Sequence, residues 1–458
     1  MQRALQLMQS LLYQGSMVTL LFGTGIWLTL KTRFFQLRGL PFILKNTVGT
    51  LMQKDVKPDL TSISPFQAMS TALAGTLGVG NIAGVATALT LGGPGAIFWM
   101  WVSAFFGMMT KYGEIFLAVK FREKTMDGFR GGPMYYMKNA LNKPWLGSIF
   151  ALLCALTSFG IGNMTQVNAV SGAALAAFGI PPWISGVLVA SLLALVVFGG
   201  LQRIASVNEV MIPFISIAYI ACSVTALVRN KWYLGTAFSL IFRGAFAPAG
   251  MAGGVLGHGL SSAIRYGISR GVFTNEAGLG SAPIAHACAD CKSPAHQSVW
   301  GIFEVFLDTI VVCTLTALVL LTAQKGTLWQ SGLDGVEMTS AAFSSVFGLK
   351  GAGFIAVSVM CFAVAGMLGW CFYGETAIGF LTGGSKAAIH LYRWLFIVCA
   401  VVGAMGDMRR LWGLADALNA MMAIPNVAAM ILLRRHIQLP CKRISASPNF
   451  SWRTGKRT

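Results

Sequence analysis

The sequence predicts an all-α integral membrane protein of about eleven transmembrane helices, arranged as a five-plus-five inverted repeat after one extra amino-terminal helix. Three observations predict this fold class: the apolar composition, the number of apolar runs long enough to cross a bilayer, and two glycine-rich breaks within those runs. Hydrophobic residues make up 55% of the 458 residues, charged residues make up 11%, and the mean hydropathy is +0.67. This composition excludes an ordinary soluble globular protein.

Eleven apolar runs approach the roughly 20 residues that a helix needs to cross the hydrocarbon core. They are Leu11 to Leu30, Pro65 to Leu91, Gly95 to Val119, Leu146 to Phe178, Trp183 to Leu201, Val210 to Val228, Leu234 to Ser262, Val299 to Thr322, Ala352 to Phe380, Ala388 to Met405 and Leu411 to Leu433. Gly23 and Gly25 interrupt the first run, and its flank lacks the cleavage pattern of a signal peptide. We therefore expect it to be retained as a helix.

The basic residues follow the predicted membrane topology. Lys and Arg give a formal net charge of +19, and they gather in the loops between apolar runs rather than along one exposed face. With the amino terminus outside, most of them fall on the cytoplasmic side, as the positive-inside rule favours. An odd number of spans then places the carboxyl terminus in the cytoplasm. We expect membrane lipid and no nucleic acid as a partner, and the compact loops favour a bacterial inner membrane.

The chain divides into four predicted regions. Residues 1–64 hold the amino-terminal helix and the first cytoplasmic loop, residues 65–232 the first five-helix repeat, residues 233–433 the second repeat, and residues 434–458 a basic cytoplasmic tail. Each repeat begins with a broken helix. Because five is odd, the second repeat crosses the membrane in the opposite sense, and the two breaks are expected to meet at mid-membrane.

The two glycine-rich breaks are the strongest functional signal, at Ala74 to Asn81 and at Phe246 to Gly254. Backbone groups freed inside a bilayer are costly unless protein, water or ligand satisfies them, so such breaks survive beside a cavity. The first break offers free carbonyl and N–H groups close together, and Pro248 should leave carbonyls facing inward at the second. A zwitterionic amino acid matches both and indicates a transporter site. Close helix packing is the alternative explanation.

Side chains at the first break add polar groups without adding charge. Thr76 and Asn81 supply oxygens and an amide. Gly75 and Gly78 allow the backbone to approach a ligand closely. The pattern favours a site that binds a neutral ligand.

Three other sets of residues lie inside predicted spans. Asn163 and Gln166 are three residues apart and share one helix face. Trp370 lies mid-span and is large enough to cap a small apolar pocket, with packing against lipid as the alternative. Glu304 and Asp308 are four residues apart on one face of the eighth span. They are expected to attract cations, to form an inner gate, or to pair with Arg265 or Arg270. These arginines belong to the predicted cytoplasmic loop from Arg265 to Gln297.

Two local patterns are more typical of structure than of function. Lys111 and Glu114, three residues apart, are expected to form a local ion pair. His286, Cys288 and Cys291, with His296 nearby, have a spacing that zinc sites use, but an isolated motif of this kind is more often a coincidence. With no nucleophile-base arrangement in the sequence, we expect neither an enzyme nor a resident cofactor.

Long motifs closely resemble the alanine or glycine:cation symporter family. The longest is STALAGTLGVGNIAGVATALTLGGPGAIFWMWVSAFFGMMTKYGE. The others are GGPMYY at 131–136, RGVFTNEAGLGSAPIAHA at 270–287, FEVFLDTIVVCTLTALV at 303–319, GW…YGE at 369–375 and AIPN at 423–426. The resemblance implies a LeuT-type fold and sodium-coupled symport of small neutral amino acids, chiefly alanine and glycine, by alternating access. A proton-coupled carrier that uses Glu304 or Asp308, or a substrate-sensing or channel protein, is the alternative.

The resemblance also assigns candidate roles to residues. Substrate contacts are expected from Thr76, Gly78, Asn81, Phe159, Gln166, Phe246, Gly250 and Trp370. Cation binding or gating is expected from Gly75, Asn163, Glu304 and Asp308, with Na⁺ or H⁺ as the coupling ion.

One position departs from the family pattern. Before Gly369 and Trp370 the family usually carries Ser/Thr-Thr, whose hydroxyls can bind sodium opposite the first break, whereas this chain has Ala365 and Gly366. The loss of two oxygen ligands weakens such a site. Three outcomes stay open: sodium binds elsewhere, another cation is used, or coupling is weak.

Overall fold

The computed structural model describes residues 17–50, 62–125, 128–246 and 260–440. Helices dominate these residues. Among them, six continuous helices are long and apolar enough to cross a membrane, and one bent pair of helices would make a seventh span. The protein is therefore a helical multi-pass membrane protein, as its composition predicts.

The first half of the described chain ends at residue 229. Its helices are α1 (Met17–Lys31), α2 (Phe35–Arg38), α3 (Leu40–Asn46), α4 (Pro65–Thr76), α5 (Val85–Gly92), α6 (Gly95–Lys120), α7 (Pro133–Asn139), α8 (Pro144–Phe159), α9 (Thr165–Phe178), α10 (Pro182–Val197) and α11 (Gly200–Arg229). Between α6 and α7, strands β1 (Glu123–Thr125) and β2 (Gly128–Arg130) pair antiparallel. Two π-helical turns, Gly80–Gly84 and Gly160–Met164, lead into α5 and α9.

The second half carries the remaining helices. They are α12 (Leu234–Phe246), α13 (Leu260–Asn275), α14 (Ala282–His286), α15 (Pro294–Val305), α16 (Thr314–Thr322), α17 (Gly335–Phe347), α18 (Leu349–Leu381), α19 (Lys386–Ala404) and α20 (Met408–Leu432). A longer π-helical segment, Phe306–Cys313, joins α15 to α16. Short 3-10 turns lie at Val48–Thr50, Lys231–Tyr233, Ala323–Gly326 and Leu328–Gln330.

The helix bundle has two distinguishable ends. At the hairpin end, near β1 and β2, Arg122 donates hydrogen bonds to the carbonyls of Ala287 and Ala289. Ala289 also forms a parallel bridge with Ile63, just before α4. At the opposite end, the cap end, α17 packs against α5 and the π-helical turn before it. There the hydroxyl of Thr87 donates to the carboxylate of Asp334, which caps the start of α17.

The first broken helix comprises α4, a bend at 77–79, the π-helical turn and α5, and its two halves differ in direction by 49°. Ser64 and Gln67 form a capping box at its start, and Pro65 occupies the first helical turn, where its missing N–H costs nothing. Leu77 takes an extended conformation and ends α4. The bend lies where the sequence predicts the first break.

Among the described residues, a second broken helix lies in a segment where the hydropathy pattern predicts a loop. The predicted break at 246–254 lies, apart from its first residue, outside the described residues. Further along the chain, α13 ends at Asn275, the chain unwinds over 276–281, and α14 follows. We predicted a cytoplasmic loop here, but the segment is buried throughout. Glu276, Gly278 and Gly280 have φ of 53°, 92° and 83°, a left-handed conformation that no helix continues.

The course of α13 shows how the second broken helix is oriented. A Cβ on Gly267 would meet the carbonyl of Ala96, a Cβ on Gly271 would meet Ser103, and Gly107 faces the methyl of residue 277. Residue numbers rise together along α6 and α13 in these contacts, so the two helices run parallel. Because α6 begins at the cap end, α13 runs from the cap end to the middle of the bundle. Because α4 runs from the hairpin end, the two broken helices are antiparallel, as an inverted repeat requires.

Candidate functional site

Side chains satisfy the N–H groups at the first break. The N–H of Gly78 donates to Oδ1 of Asn81 over 3.0 Å, and the N–H of Val79 approaches Oε1 of Gln166 at 3.5 Å. The N–H of Asn81 donates to the carbonyl of Gly78 over 3.2 Å. The structure thus brings three predicted site residues together. A ligand carboxylate would replace the amide oxygens of Asn81 and Gln166 as acceptor.

Asn81 also connects the first break to the π-helical segment at 306–313. Its Nδ2 donates to Oδ1 of Asp308 over 2.7 Å. The hydroxyl of Thr309 donates to Oδ2 of Asp308 over 2.7 Å and accepts from Nδ2 of Asn275 over 3.1 Å. Each of these four residues is at most 1% exposed. Since Asn275 ends α13, Asp308 and Thr309 lie between the two broken helices.

Trp370 of α18 packs on the second break. Its Nε1 donates to Oε1 of Glu276 over 3.1 Å, and the hydroxyl of Ser281 donates to the other carboxylate oxygen. Gly162, in the π-helical turn before α9, faces the indole, because a Cβ there would overlap the ring. Trp370 is fully buried. It therefore lies in the protein interior rather than against lipid.

α18 approaches the first broken helix through small residues. A Cβ on Gly366 would lie 3.1 Å from the carbonyl of Ala74, and a Cβ on Gly75 would lie 3.1 Å from the hydroxyl of Tyr373. Ala365 is fully buried beside them. At positions 365 and 366, α18 therefore offers no side-chain oxygen to the first break.

Glu304 belongs to a buried network that joins four helices, α4, α6, α14 and α15. Its Oε1 lies 3.1 Å from Nζ of Lys111, and its Oε2 lies 3.2 Å from Nε2 of His286, all fully buried. Nε2 of Gln297 lies 2.8 Å from Nδ1 of His286 and donates to the carbonyl of Pro65. Because an amide nitrogen only donates, Nδ1 accepts, and the proton of a neutral imidazole is on Nε2, facing Glu304. Glu304 therefore has one cationic and one neutral donor.

This network corrects the predicted pair between Lys111 and Glu114. Lys111 points to Glu304 across the helix interface, so it makes a contact between elements instead of a local one. Glu114 instead accepts a hydrogen bond of 3.0 Å from Nδ2 of Asn426, which also bonds the carbonyl of Gly278 over 2.8 Å. Glu114 is thereby connected to the second break.

A cavity of about 670 Å³ lies toward the cap end, above the first break. Ala83 and Thr87 of the first broken helix, Asn168 of α9 and Arg270 of α13 contribute to its wall. Arg270 lies 3.6 Å from Asp416, which connects α13 with α20. Arg270, one of the two arginines considered as partners of Glu304 or Asp308, thus pairs with α20.

Two predicted site residues face α19 rather than the first break. The ring of Phe159 packs against Tyr392 and Phe396, with centroids 5.2 and 6.0 Å away. Nδ2 of Asn163 donates to the carbonyl of Phe396 over 2.7 Å. Both side chains therefore hold α19 against the π-helical turn at 160–164.

Of three further predicted site residues, two make contacts elsewhere and one lies outside the described residues. Phe246 is 59% exposed, and its ring packs against Phe98 and Trp99 near the start of α6. Gly250 lies outside the described residues. The hydroxyl of Thr76 donates to a carbonyl of its own helix.

The predicted zinc spacing forms no metal site in the part of the chain that the structure describes, where no group of three or more His, Cys, Asp or Glu residues suits a metal ion. His286 is engaged with Glu304 and Gln297. Burial raises the pKa of the Cys288 thiol to about 12, which disfavours the thiolate that zinc requires.

Sequence reasoning missed the roles of Asn275 and Glu276. Both stand in a polar segment that we predicted as a loop, because an acidic residue and a serine lower its hydropathy. A usable signal was present in Gly278 and Gly280, two glycines two residues apart directly after the end of a helix.

Comparison with known proteins identifies a family. A model described as the sodium:alanine symporter family matches residues 1–445. The sodium/alanine symporter AgcS of Methanococcus maripaludis is 44% identical over 423 residues, covering 91% of each chain. The probable sodium/glutamine symporter GlnT of Bacillus subtilis is 38% identical over 426 residues, covering 93% of this chain and 87% of that protein.

A solved structure supports the architecture. The chain is similar to a sodium-coupled sialic acid symporter with a TM-score of 0.57 and 13% identity, over 91% of this chain and 86% of that one. At this identity the likeness concerns the fold alone. The fold is the LeuT type, with two antiparallel broken helices at its centre.

Proposed function

The chain belongs to the sodium:alanine symporter family, and we propose that it carries small neutral amino acids such as alanine and glycine into the cell together with sodium, by alternating access. Family membership makes it a transporter rather than an enzyme. The names of its relatives support an amino-acid substrate but include both alanine and glutamine. The choice of small substrates therefore rests on the contacts at the breaks.

The meeting of the two helix breaks carries the proposal. Asn81 of the first broken helix and Asn275 of the second both contact the pair Asp308 and Thr309, while Glu276 of the second break holds Trp370. Unwound backbone and amide groups at such a place suit the carboxylate and the ammonium of a zwitterion.

Close packing around the first break favours small side chains on the ligand. A Cβ on Gly78 would lie 3.3 Å from both terminal atoms of the Gln166 amide. On the other side, the indole of Trp370 fills the space beside Gly162. A methyl group or a hydrogen is the substituent that these neighbours accommodate most easily.

The two ends of the bundle provide the two gates of the cycle. The cavity at the cap end and the pair between Arg270 and Asp416 lie on one side of the breaks. The pair between Lys111 and Glu304 lies on the other. We assign the hairpin end to the cytoplasm of a bacterial inner membrane because its segments carry many basic residues. They include Arg122, Lys124, Arg130, Lys138 and Lys143.

The membrane potential is sufficient to drive this transport. A zwitterion has no net charge, so one accompanying Na⁺ at about 100 mV contributes roughly 2.3 kcal/mol, enough for about forty-fold accumulation. A sodium gradient adds to this amount.

Uptake into proteoliposomes tests the proposal. Radiolabelled alanine is offered under an imposed sodium, proton or potassium gradient in turn, with unlabelled glycine, leucine and glutamine as competitors. We expect accumulation against the alanine gradient only with sodium, and competition by glycine but not by leucine. Uptake driven by protons without sodium would overturn the coupling ion, preferred competition by glutamine would overturn the substrate, and equilibration without accumulation would indicate a channel.

A further inference from the structure

An open groove of about 790 Å³ lies between α1 and the end of α20, away from the helix breaks. Residues on one face of α1, from Thr19 to Trp27, line one side, and Ile431 and Arg434 line the other. From residue 19 to residue 27 this face extends about 12 Å along the helix, close to the depth of about 15 Å that one leaflet contributes to the hydrocarbon core. The groove therefore has the length of a leaflet.

The wall of the groove on α1 is apolar and has room at its centre. A Cβ on Gly23 would have no atom within 4 Å. The hydroxyl of Thr24 donates to the carbonyl of Leu20, in its own helix, over 2.7 Å. No aspartate or glutamate of the described residues lines the groove. A flexible hydrocarbon chain fits such a surface.

Two cations are held together at one end of this groove. Nζ of Lys31 donates to the backbone carbonyl of Arg434 and lies 4.9 Å from the ring centroid of Trp27. Both basic side chains are exposed, and neither pairs with a carboxylate among the described residues. Two positive charges kept close without an anion repel each other, so this end of the groove attracts an anion.

The two cations also have hydrogen-bond donors to offer. Lys31 has three donors and gives one to the carbonyl of Arg434. Arg434 has five donors, and one of its nitrogens bonds the carbonyl of Ile431 over 3.1 Å. The remaining donors suit the oxygens of a phosphate.

The cationic end of the groove lies at the hairpin end of the bundle. A Cβ on Gly25 would meet the carbonyl of Phe106, and a Cβ on Gly113 would lie 3.3 Å from Leu28. α1 is thus parallel to α6 and ends where α6 ends. Lys31, its last residue, is therefore at the level where a membrane protein meets the headgroups, and exposed tryptophan is typical of that level.

We propose that this groove binds one anionic phospholipid, with its phosphate held by Lys31 and Arg434 and an acyl chain lying along α1 past Gly23. The headgroup supplies the negative charge that the two cations lack, and the chain covers the apolar wall. A lipid in this position ties α1 to α20, whose Asn426 bonds the carbonyl of Gly278 at the second break. The site does not depend on which substrate the protein carries.

Charge disfavours the basic tail of the same chain as the occupant. Residues 441–458 include Lys442, Arg443, Arg453, Lys456 and Arg457. These residues would add positive charge beside Lys31 and Arg434. A free phosphate would satisfy the cations but would leave the apolar wall uncovered.

Native mass spectrometry of the full-length protein released from detergent tests the site. Dioleoyl phosphatidylglycerol and dioleoyl phosphatidylcholine are added at equal concentration, because they have the same acyl chains and only the first has a net negative charge. We expect wild type to bind one phosphatidylglycerol at least about tenfold more tightly than phosphatidylcholine.

Removal of the cations should abolish this preference. Lys31→Gln should weaken phosphatidylglycerol binding about fivefold, and Lys31→Gln with Arg434→Gln about thirtyfold, since each basic residue contributes about a factor of five. Lys231→Gln is the matched control, because Lys231 lies 5.1 Å from the ring centroid of Trp232 in a similar pair outside the groove. It should bind phosphatidylglycerol like wild type.

Gly23→Leu fills the groove and leaves both charges in place. We expect it to bind phosphatidylglycerol about tenfold more weakly than wild type, because the leucine occupies the position of the acyl chain. It should melt no lower than wild type in lipid-free detergent, since its position is open and leucine favours a helix more than glycine does. Gly235→Leu is the matched control, because Gly235 is also helical, exposed and open.

Thermal unfolding provides a second readout. Phosphatidylglycerol should raise the melting temperature of wild type and of Gly235→Leu, since a bound ligand stabilises the folded state, but not that of Gly23→Leu. Inorganic phosphate that stabilises wild type as strongly as the lipid would identify a free anion and overturn the proposal.

Three results of the mass measurements would also overturn it. Equal binding of the two lipids by wild type would indicate only general contact with the bilayer. Binding that requires Lys31 and Arg434 but tolerates Gly23→Leu would place the lipid outside the groove. A lipid-free dimer that Gly23→Leu dissociates would identify a second copy of the chain as the occupant.

Discussion

The two helix breaks at the centre of the bundle use glycine for different reasons. In the first, at 77–79, no residue has a left-handed φ, and Gly78 is closely packed because the Gln166 amide lies 3.3 Å from where a Cβ would be. In the second, Gly278 and Gly280 have φ of 92° and 83°, which other residues rarely adopt. Packing therefore determines the first break, and backbone conformation determines the second.

The breaks also differ in charge and in what holds them. The first is neutral, and its N–H groups are bonded to amide oxygens that a ligand can replace. The second contains Glu276 and continues into α14, whose last residue, His286, contacts the pair between Lys111 and Glu304. The comparison indicates that the first break is adapted to bind a ligand, whereas the second is anchored by the framework.

The largest expected effect comes from removing that anchor. Lys111→Met leaves Glu304 buried with only a neutral imidazole, which should lower the free energy of unfolding by about 3–5 kcal/mol and abolish uptake. Thermal unfolding in detergent and alanine uptake measure the two effects. The double variant Lys111→Met with Glu304→Gln should recover most of the stability, and a single variant as stable as wild type would contradict an anchoring role.

Gly280→Ala tests how much close contacts add to the effect of a left-handed conformation at the second break. Residue 280 would keep a φ of +83°, and its new Cβ would lie 2.6 Å from Pro133. We therefore expect the free energy of unfolding to fall by about 2–4 kcal/mol. Gly179→Ala is the matched control, since Gly179 has a φ of +68° with no atom within 4 Å. The free energy of unfolding of the Gly179→Ala variant should fall by about 1 kcal/mol. Equal losses in both would show that contacts at 280 do not matter.

Gly78→Ala tests the opposite property of the first break. Its backbone tolerates a side chain, and the end of Gln166 can move, so stability should change by less than about 1 kcal/mol. The KM for alanine should nevertheless rise about tenfold, because the methyl occupies the position that the ligand approaches. Uptake kinetics measure this change. A large drop in melting temperature with an unchanged KM would reverse the distinction between the breaks.

The smallest effect is expected from Ala365→Ser, which adds a hydroxyl opposite the first break. If the coupling sodium ion binds elsewhere than between α18 and the first break, the half-saturating sodium concentration for uptake should change by less than about threefold, since the hydroxyl is not a ligand there. A decrease well beyond that would place the ion between α18 and α4 instead. Ala363→Ser, on the same buried helix, is a suitable control.

The hydropathy pattern predicted the break at 74–81 but not the one at 276–281, for a physical reason. Ala74 to Asn81 lies within a long apolar run, where glycines stand out against the hydropathy that a bilayer demands. The second break contains a carboxylate and is followed by the five residues of α14, too short to register as a span. The side chains that hold the second break come from helices remote in sequence, so the hydropathy pattern predicts a loop at this segment.

The same limitation applies to the charged residues of the site. Spacing along a helix predicted a pair between Lys111 and Glu114, but α6 packs against α15 and brings Glu304 closer. Gly78, Asn81 and Gln166 were predictable because broken-helix and amide patterns mark them within single spans. Contacts between spans, including the bond between Asn81 and Asp308, depend on tertiary packing that the sequence pattern does not contain.

The link between Ile63 and Ala289 has a mechanical consequence. Besides this bridge, the N–H of Asp290 donates to the carbonyl of Ile63 over 2.9 Å, and Gln297 bonds the carbonyl of Pro65. The start of the first broken helix and the exit of the second are thereby fastened together at the hairpin end. The two halves at this end should therefore move as one unit, so a single crosslink that ties the segment at 63 to a helix outside this pair should stop both halves at once.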